Sequence, residues 1–309
     1  MEGSGLQGAD DRTQRSQRFR RNRKKNAFHE FYEFPFRDLC ATFGFLLRSV
    51  TRWRLKQNRG MFNIATAQKP AAQALSQDGL SLLLPADLRA TLALTDPAWL
   101  DGWNQLNDSW NHLPPDAHLK DGGRYRKRRH ACFVQDTATG ALTQTPHRAH
   151  WQPTDYNALH GGFERWFDPV EPAVAAAPAW TALIRSLGEL FAQVQPVPRW
   201  YVEAHQFRID TAGGVGRPTP EGAHRDGVDF VVVLMVARHA VKGGETRVFD
   251  ANGPHGVRFL MQEPLTALLL DDARVIHETT PILPLDNAPD QGFRDTLVLT
   301  YRAAGFQAP

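Results

Sequence analysis

The stretch EGAHRDGVDFVVVLMVAR places His224, Asp226 and Asp229 directly in front of one of the most apolar runs in the chain. Of the twelve histidines, only His224 has an acid two residues further on. On an extended segment residues i and i+2 point to the same side, so the imidazole of His224 and the carboxylate of Asp226 can share one ligand. Gly227 lets the chain turn before the strand that follows. A third donor is available in LTALLLDDARVIHETTPI, where His277 comes after an apolar strand and a tight Asp-Asp turn. Two imidazoles and one carboxylate make the facial set that binds non-haem Fe(II) and leaves coordination positions open. The competing reading is three unrelated polar residues at strand ends, since an isolated H-x-D arises readily by chance.

An iron of this type needs an electron-donating cosubstrate, and 2-oxoglutarate chelates through its 1-carboxylate and keto oxygen while its 5-carboxylate asks for a cation deeper in the fold. GFRDTLVLTYR offers one: Arg294, Thr296, Val298 and Thr300 share one face of a strand. A guanidinium fork and a hydroxyl two residues apart can hold one carboxylate together. Dioxygen is the third small reactant such a site takes. On the preceding strand RWYVEAHQFRID, His205 and Gln206 point to opposite faces, so only one of them looks inward. Gln206, which shares its face with Arg208, is the candidate for the cosubstrate.

For the substrate, the basic strand RYRKRRHACF is the most suggestive feature. A period of two puts Arg124, Arg126, Arg128 and His130 on one face and Tyr125, Lys127 and Arg129 on the other. Arg128 is the candidate to hold a substrate carboxylate, against the ordinary reading of a charged run as a solvated face. The segment TDYNALHGG reads as a polar, glycine-bearing loop able to cover the iron, with Asn157 and His160 as candidates for substrate contact.

These residues need strands to position them, and the chain supplies them. From about residue 124 onward, short strand-like runs alternate with Gly, Pro and Asp turns, interrupted by one helix over PAVAAAPAWTALIRSLGELFAQV. Many short strands with close turns predict a mainly β fold with flanking helices, a sandwich or barrel of jelly-roll type. Residues 61 to 120 read mainly helical, and the Trp positions of DPAWLDGWNQLNDSW recur at helical spacing, as in a core. With 42% hydrophobic and 22% charged residues, the 309-residue chain has the composition of a globular protein and not of a disordered one.

Residues 1 to 60 differ from the rest. They hold 14 Lys and Arg against 6 Asp and Glu, a net +8, so with +3 for the whole chain the remainder sums to −5. The run RFRRNRKK suggests a basic, disordered extension ahead of a single domain that starts near Met61, with a β core over 124 to 303. Such a run touches nucleic acid or acidic lipid by charge alone, but the acidic remainder makes nucleic acid a poor partner. No window carries enough consecutive apolar residues for a membrane span, and LCATFGFLLRSV has no cleavage site after it. Two cysteines, Cys40 and Cys132, are too few for a disulfide framework and suit a reducing compartment. A cytoplasmic location is expected.

The arrangement H-R-D-G, then R-V-I-H-x-T-T-P-I, then G-F-R-D-T-L-V-L-T-Y resembles the Fe(II)/2-oxoglutarate-dependent dioxygenases, in particular the bacterial branch of free-amino-acid hydroxylases such as isoleucine hydroxylase. The resemblance extends upstream to HWQPTDYNALHGGFERWFDP and VEAHQFRID and covers roughly residues 120 to 303. It implies a double-stranded β-helix, of jelly-roll or cupin-like form, with His224, Asp226 and His277 on iron and Arg294 with Thr296 on the 2-oxoglutarate 5-carboxylate. Thr296 stands where many members of the wider superfamily have Ser, which preserves the hydroxyl.

The expected function is therefore hydroxylation of an unactivated C–H of a small molecule, a free amino acid or a derivative, with release of succinate and CO2. Two alternatives come from other classes. One is the same chemistry on a nucleic acid or a protein side chain. The other is a non-catalytic, cupin-like binding module, which would have no use for an arginine clamp beside a complete ligand set.

Overall fold

The computed structural model describes residues 69–309 apart from residue 158 and residues 287–290; residues 1–68, with the expected extension and the boundary at Met61, lie outside the described residues. In chain order the elements are α1 (Ala71–Asp78), β1 (Leu80–Leu83), α2 (Pro85–Thr91), α3 (Pro97–Leu106), a 3-10 helix (Asn107–His112), β2 (Arg126–Asp136), β3 (Leu142–Gln144), α4 (Pro172–Ala175), α5 (Pro178–Val194), β4 (Arg199–Asp210), β5 (Phe230–His239), β6 (Val241–Gly243), β7 (Thr246–Asp250), β8 (Gly256–Phe259), β9 (Ala267–Asp271), β10 (Val275–Thr279), β11 (Ile282–Pro284) and β12 (Phe293–Arg302). The single helix expected over PAVAAAPAWTALIRSLGELFAQV is two helices. Pro178 forces the residue before it out of the helical region, and Ala177 is extended, at φ −62° and ψ 134°.

The large sheet runs β1-β9-β5-β12-β4-β2-β3, all antiparallel. A three-stranded sheet, β10-β7-β8, and a two-stranded one, β11-β6, complete the strands. β1, the apolar strand between two helices of the mainly helical part, closes one edge of the large sheet against β9. The fold is the expected mainly β jelly roll.

The apolar run of β5 follows from its position. Val232, Leu234 and Val236 pack with Leu183, Leu187 and Phe191 of α5 in the main core. Val231 and Met235 turn the other way and pack with Val248 of β7, Val257 of β8 and Val275 of β10. A strand covered on both faces has no solvent side to carry polar residues, so the period of two disappears from its hydropathy.

β12 keeps the period. Leu297, Leu299 and Tyr301 join the helical side, while Arg294, Thr296, Val298, Thr300 and Arg302 line a cavity between the sheets. The tryptophans at helical spacing are core, as expected. Trp99 stacks on Trp103 at 5.9 Å and Trp103 on Trp180 at 6.5 Å, with Trp110 wedged against both Trp103 and Trp180. Trp110 also donates its indole N–H to the Thr296 carbonyl at 3.2 Å, tying this cluster to the strand that carries Arg294. Among the described residues no helix is long and apolar enough to cross a membrane.

Trp103 is 1% exposed and Trp166 is 55% exposed. Trp103→Ala should therefore cost about 3–5 kcal/mol of stability, and Trp166→Ala about 1 kcal/mol or less. Urea midpoints of the two variants check the contrast.

Candidate metal centre and cofactor cavity

His224 and His277 meet through the backbone. The N–H of each donates to the carbonyl of the other, at 3.0 and 2.9 Å, so the segment before β5 adds to the edge of β10. Directly opposed residues of an antiparallel pair have neighbouring side chains, and the two rings lie 4.6 Å apart. Asp226, two residues along on the same side, brings Oδ1 to 3.8 Å from His224 Nε2 and Oδ2 to 3.8 Å from His277 Nε2.

All three donor atoms fall within 4.8 Å of one another. Two ligands bound at about 2.0–2.2 Å, as for other first-row metals, can be at most about 4.4 Å apart, so the two 3.8 Å separations fit a common ion. The donor set of two nitrogens and one carboxylate also suits Fe(II). His224 donates from Nδ1 to the Gly222 carbonyl at 2.9 Å, which leaves its Nε2 as the lone-pair atom facing Asp226. Burial, and then His224, push the His277 imidazole down to about 4, so it is neutral at physiological pH. Burial works against protonation of His224 too, but Asp226 and Glu221 beside it leave it raised overall.

The turn that presents Asp226 is clasped from below by Asp272, a fully buried residue of the Asp-Asp turn. Its carboxylate accepts the backbone N–H groups of Asp226 at 3.0 Å, Gly227 at 2.8 Å and Val228 at 3.2 Å. Gly227 sits at φ +75°, and a Cβ there would come within 2.5 Å of the Tyr156 ring. The glycine of H-x-D-G thus serves both the turn and the approach of the covering loop. From above, Gln152 donates to Asp226 Oδ1 at 3.0 Å, and Gln152 itself accepts from Asn157 at 3.1 Å and Arg165 at 2.8 Å.

Arg294 and Thr296 open into the same cavity as the three donors. Arg294 is 3% exposed, and its Nε and Nη2 have no hydrogen-bond partner among the described residues. Burial, and then Arg238, pull its guanidinium down to about 10. Desolvated donors without an acceptor are costly unless a ligand supplies one, and the planar fork fits a carboxylate. The residues present therefore fit both an iron and the 5-carboxylate of 2-oxoglutarate.

Two candidates are placed elsewhere. Gln206 does not reach the cavity: it donates to the Ser109 hydroxyl at 2.8 Å on the helical side, where Arg208 pairs with Asp295 at 2.6 Å. The inward face of β4 belongs to Glu203, His205, Phe207 and Ile209, because the helices take the other parity. His160 is buried but faces away from the cavity, its Nε2 accepting the Lys120 N–H at 3.3 Å. Arg128 and Asn157 do line the cavity, and Arg126 and Arg165 join them. Arg124 precedes the strand and is exposed, so the shared face begins at Arg126.

Sequence reasoning missed a second cluster. His130, His150, Glu203 and His205 converge within 4.8 Å. They come from β2, the segment after β3, and β4, and only the register His130↔His205 between β2 and β4 brings them together. The signal available was the inward parity of His205 together with two further histidines upstream; nothing in their spacing marks them as one site.

The 2OG-Fe dioxygenase family matches the chain over residues 107–300, and the chain belongs to that family. It is an oxygenase that uses Fe(II), 2-oxoglutarate and O2. A crystal structure of a bsmA homologue from Methylobium petroleophilum PM1 is 58% identical, with a TM-score of 0.73 and a match covering 77% of this chain and 94% of that one. IDO from Bacillus thuringiensis shares the fold at 16% identity and a TM-score of 0.62, over 76% of this chain and 94% of that one. The Fe(II)/(alpha)ketoglutarate-dependent dioxygenase TqaL does so at 22% and 0.56, over 75% and 85%. No curated protein matches the chain.

Loss of the clasp under Asp226 should be felt at the metal. Asp272→Ala is expected to weaken Fe(II) binding by about 10- to 100-fold, the usual range for residues that orient ligands. Metal titration of the anaerobic protein measures it.

Proposed function

We propose that this chain hydroxylates an unactivated C–H of a small molecule, a free amino acid or a close derivative, with His224, Asp226 and His277 holding Fe(II) and Arg294 with Thr296 holding the 5-carboxylate of 2-oxoglutarate. Bound iron, with 2-oxoglutarate and O2, supplies the oxidant for the C–H bond and yields succinate and CO2. The chain's own part is to bind, orient and keep water out.

The observation that carries the small-molecule reading is a group of buried arginines on the cavity wall. Arg126, Arg128 and Arg165 are all buried there and face the same space as the triad and Arg294. Asp116 takes up Arg126 at 2.7 Å and approaches Arg128 at 3.9 Å. Three guanidiniums face Asp116, Glu203 and Glu221, and among the described residues Arg126 Nη2, Arg128 Nε and Arg165 Nε are without hydrogen-bond partners. A substrate carboxylate supplies the missing acceptors. Arg128 is stacked between Phe167 at 3.6 Å and Phe207 at 4.3 Å, which fixes its plane.

A polymer substrate would call for exposed cations tracking its backbone, whereas these arginines are buried, and residues 61 to 309 sum to −5. A cytoplasmic site of action is consistent with the amino-acid reading.

Two measurements test the proposal. Each of the twenty amino acids is offered to the iron-loaded protein with 2-oxoglutarate and O2, and one or a few should stimulate succinate formation; stimulation by none refutes the substrate class. Arg294→Ala should raise the 2-oxoglutarate requirement by a factor of roughly 30 to several thousand, the loss expected when a buried charge pair is broken. Fe(II) binding should survive. Arg294→Lys should recover only part, since an ammonium cannot form the planar fork.

A further inference from the structure

The part of the cavity wall formed by β2 and β4 carries a carboxylate among its arginines. Glu203, on β4, is 6% exposed and lines the cavity. All its hydrogen bonds fall on one oxygen. Oε2 accepts from His150 Nδ1 in a short contact, and His130 Nε2 and His205 Nε2 lie 3.4 and 3.5 Å from it. Among the described residues none donates to Oε1.

The donors around Oε2 bring no charge with them. Burial pushes the His150 imidazole down to about 4, and burial lowers His130 and His205 as well. His205 also has its tautomer set: Arg128 Nη2 lies 2.7 Å from its Nδ1, and since a guanidinium only donates, Nδ1 accepts and the ring proton sits on Nε2, facing Glu203. Burial opposes ionisation of Glu203, yet His150, and then the hydrogen bonds from all three imidazoles, hold its carboxyl well below the usual range. The result is an ionised carboxylate with one oxygen saturated by neutral donors and the other unclaimed. Arg128 and Arg165 act on it through space without forming an ion pair. A buried charge left in this state is expensive unless a cation completes it.

A divalent metal is one such cation, and the four residues are close enough to suggest it. The hydrogen bonding speaks against it. The His205 Nε2 that would ligate carries the proton, and His150 and Glu203 are in direct hydrogen-bond contact with no gap for an ion. A primary ammonium has the opposite requirements: three donors, one charge and a carboxylate oxygen to accept them.

Resting on the amino-acid reading above, we infer that Glu203 is the specificity-determining residue for the substrate's α-ammonium group, which binds at Oε1 while the carboxylate goes to Arg126, Arg128 and Arg165. The site then reads a zwitterion at both ends and rejects molecules that carry the acid without the free amine. The α-carbon is held by its two charged substituents, which leaves the side chain as the part free to lie toward the iron ligands.

The test uses the full chain loaded with Fe(II) and 2-oxoglutarate in the absence of O2, so that binding is read without turnover. The twenty L-amino acids are titrated beside the 2-hydroxy acids and N-acetyl derivatives with the same side chains. The wild type should bind at least one amino acid about 30-fold or more tighter than both of its analogues, the scale for a buried charge pair. In Glu203→Gln that preference should collapse to within a few-fold. Comparing ligands within one variant cancels any general loosening of the cavity, and the wild-type preference stands as evidence even if the variant does not fold. Equal binding of an amino acid and its 2-hydroxy acid by the wild type, or a preference that persists in Glu203→Gln, overturns the role of Glu203 and leaves the amino-acid reading in place. Binding of no amino acid overturns both. A second equivalent of Zn(II) that remains bound in Asp226→Ala would also overturn it, by showing that the cluster is a metal site.

Discussion

The reciprocal backbone hydrogen bonds between His224 and His277 are the constraint on which the site depends. They join the segment before β5 to the middle of β10, and they make the two imidazoles opposed neighbours instead of residues 53 positions apart. Strand pairing has a period of two, so a slip of one residue would turn one ring out of the cavity and take Asp226 with it. Asp272 holds the same turn from beneath with three backbone contacts, and Gln152 restrains the Asp226 carboxylate from the loop side. The proposed ligands are thus fixed by groups that do not themselves face an ion.

The rest of the cavity is organised by buried charge. Among the described residues nothing accepts from Arg294 Nε and Nη2, Arg126 and Arg128 share Asp116, and Glu203 accepts from imidazoles on one oxygen. Each of these groups has been taken out of water and only partly compensated. That is an unfavourable arrangement for stability alone, and it is the arrangement expected where charged ligands complete the set. The cost is carried by the two apolar layers around it: the tryptophan cluster and α5 behind the large sheet, and the second core of β5, β9 and the three-stranded sheet in front. The indole of Trp110, bonded to the Thr296 carbonyl, links the outer layer directly to the strand that carries Arg294.

The match to the crystal structure at 58% identity takes in 94% of that chain. The more distant relatives share the fold and differ in most of their residues. Common architecture with divergent sequence is the usual state of a fold that hosts many reactions, which is why the argument for the substrate rests on Arg126, Arg128, Arg165 and Glu203.

Local spacing alone determined a good part of this protein. H-x-D on an extended segment, a histidine after a later apolar strand, and Arg294 and Thr296 two residues apart on β12 were legible because side-chain direction alternates along a strand whatever it packs against. Which parity of a strand faces the cavity was not legible. Gln206 and His205 were equivalent alternatives in sequence, and the helical layer, by taking Gln206 and Arg208, decided for His205. His160 looked like a loop residue free to meet substrate, and the tertiary fold turned its ring onto the Lys120 backbone. The cluster of His130, His150, Glu203 and His205 left no local trace, because its members are neighbours only through the register of β2 on β4 and the return of the chain after β3. Periodicity is a property of a short stretch of backbone; facing and proximity are properties of the pairing between distant stretches, and only burial of both sides of the sheet settles them.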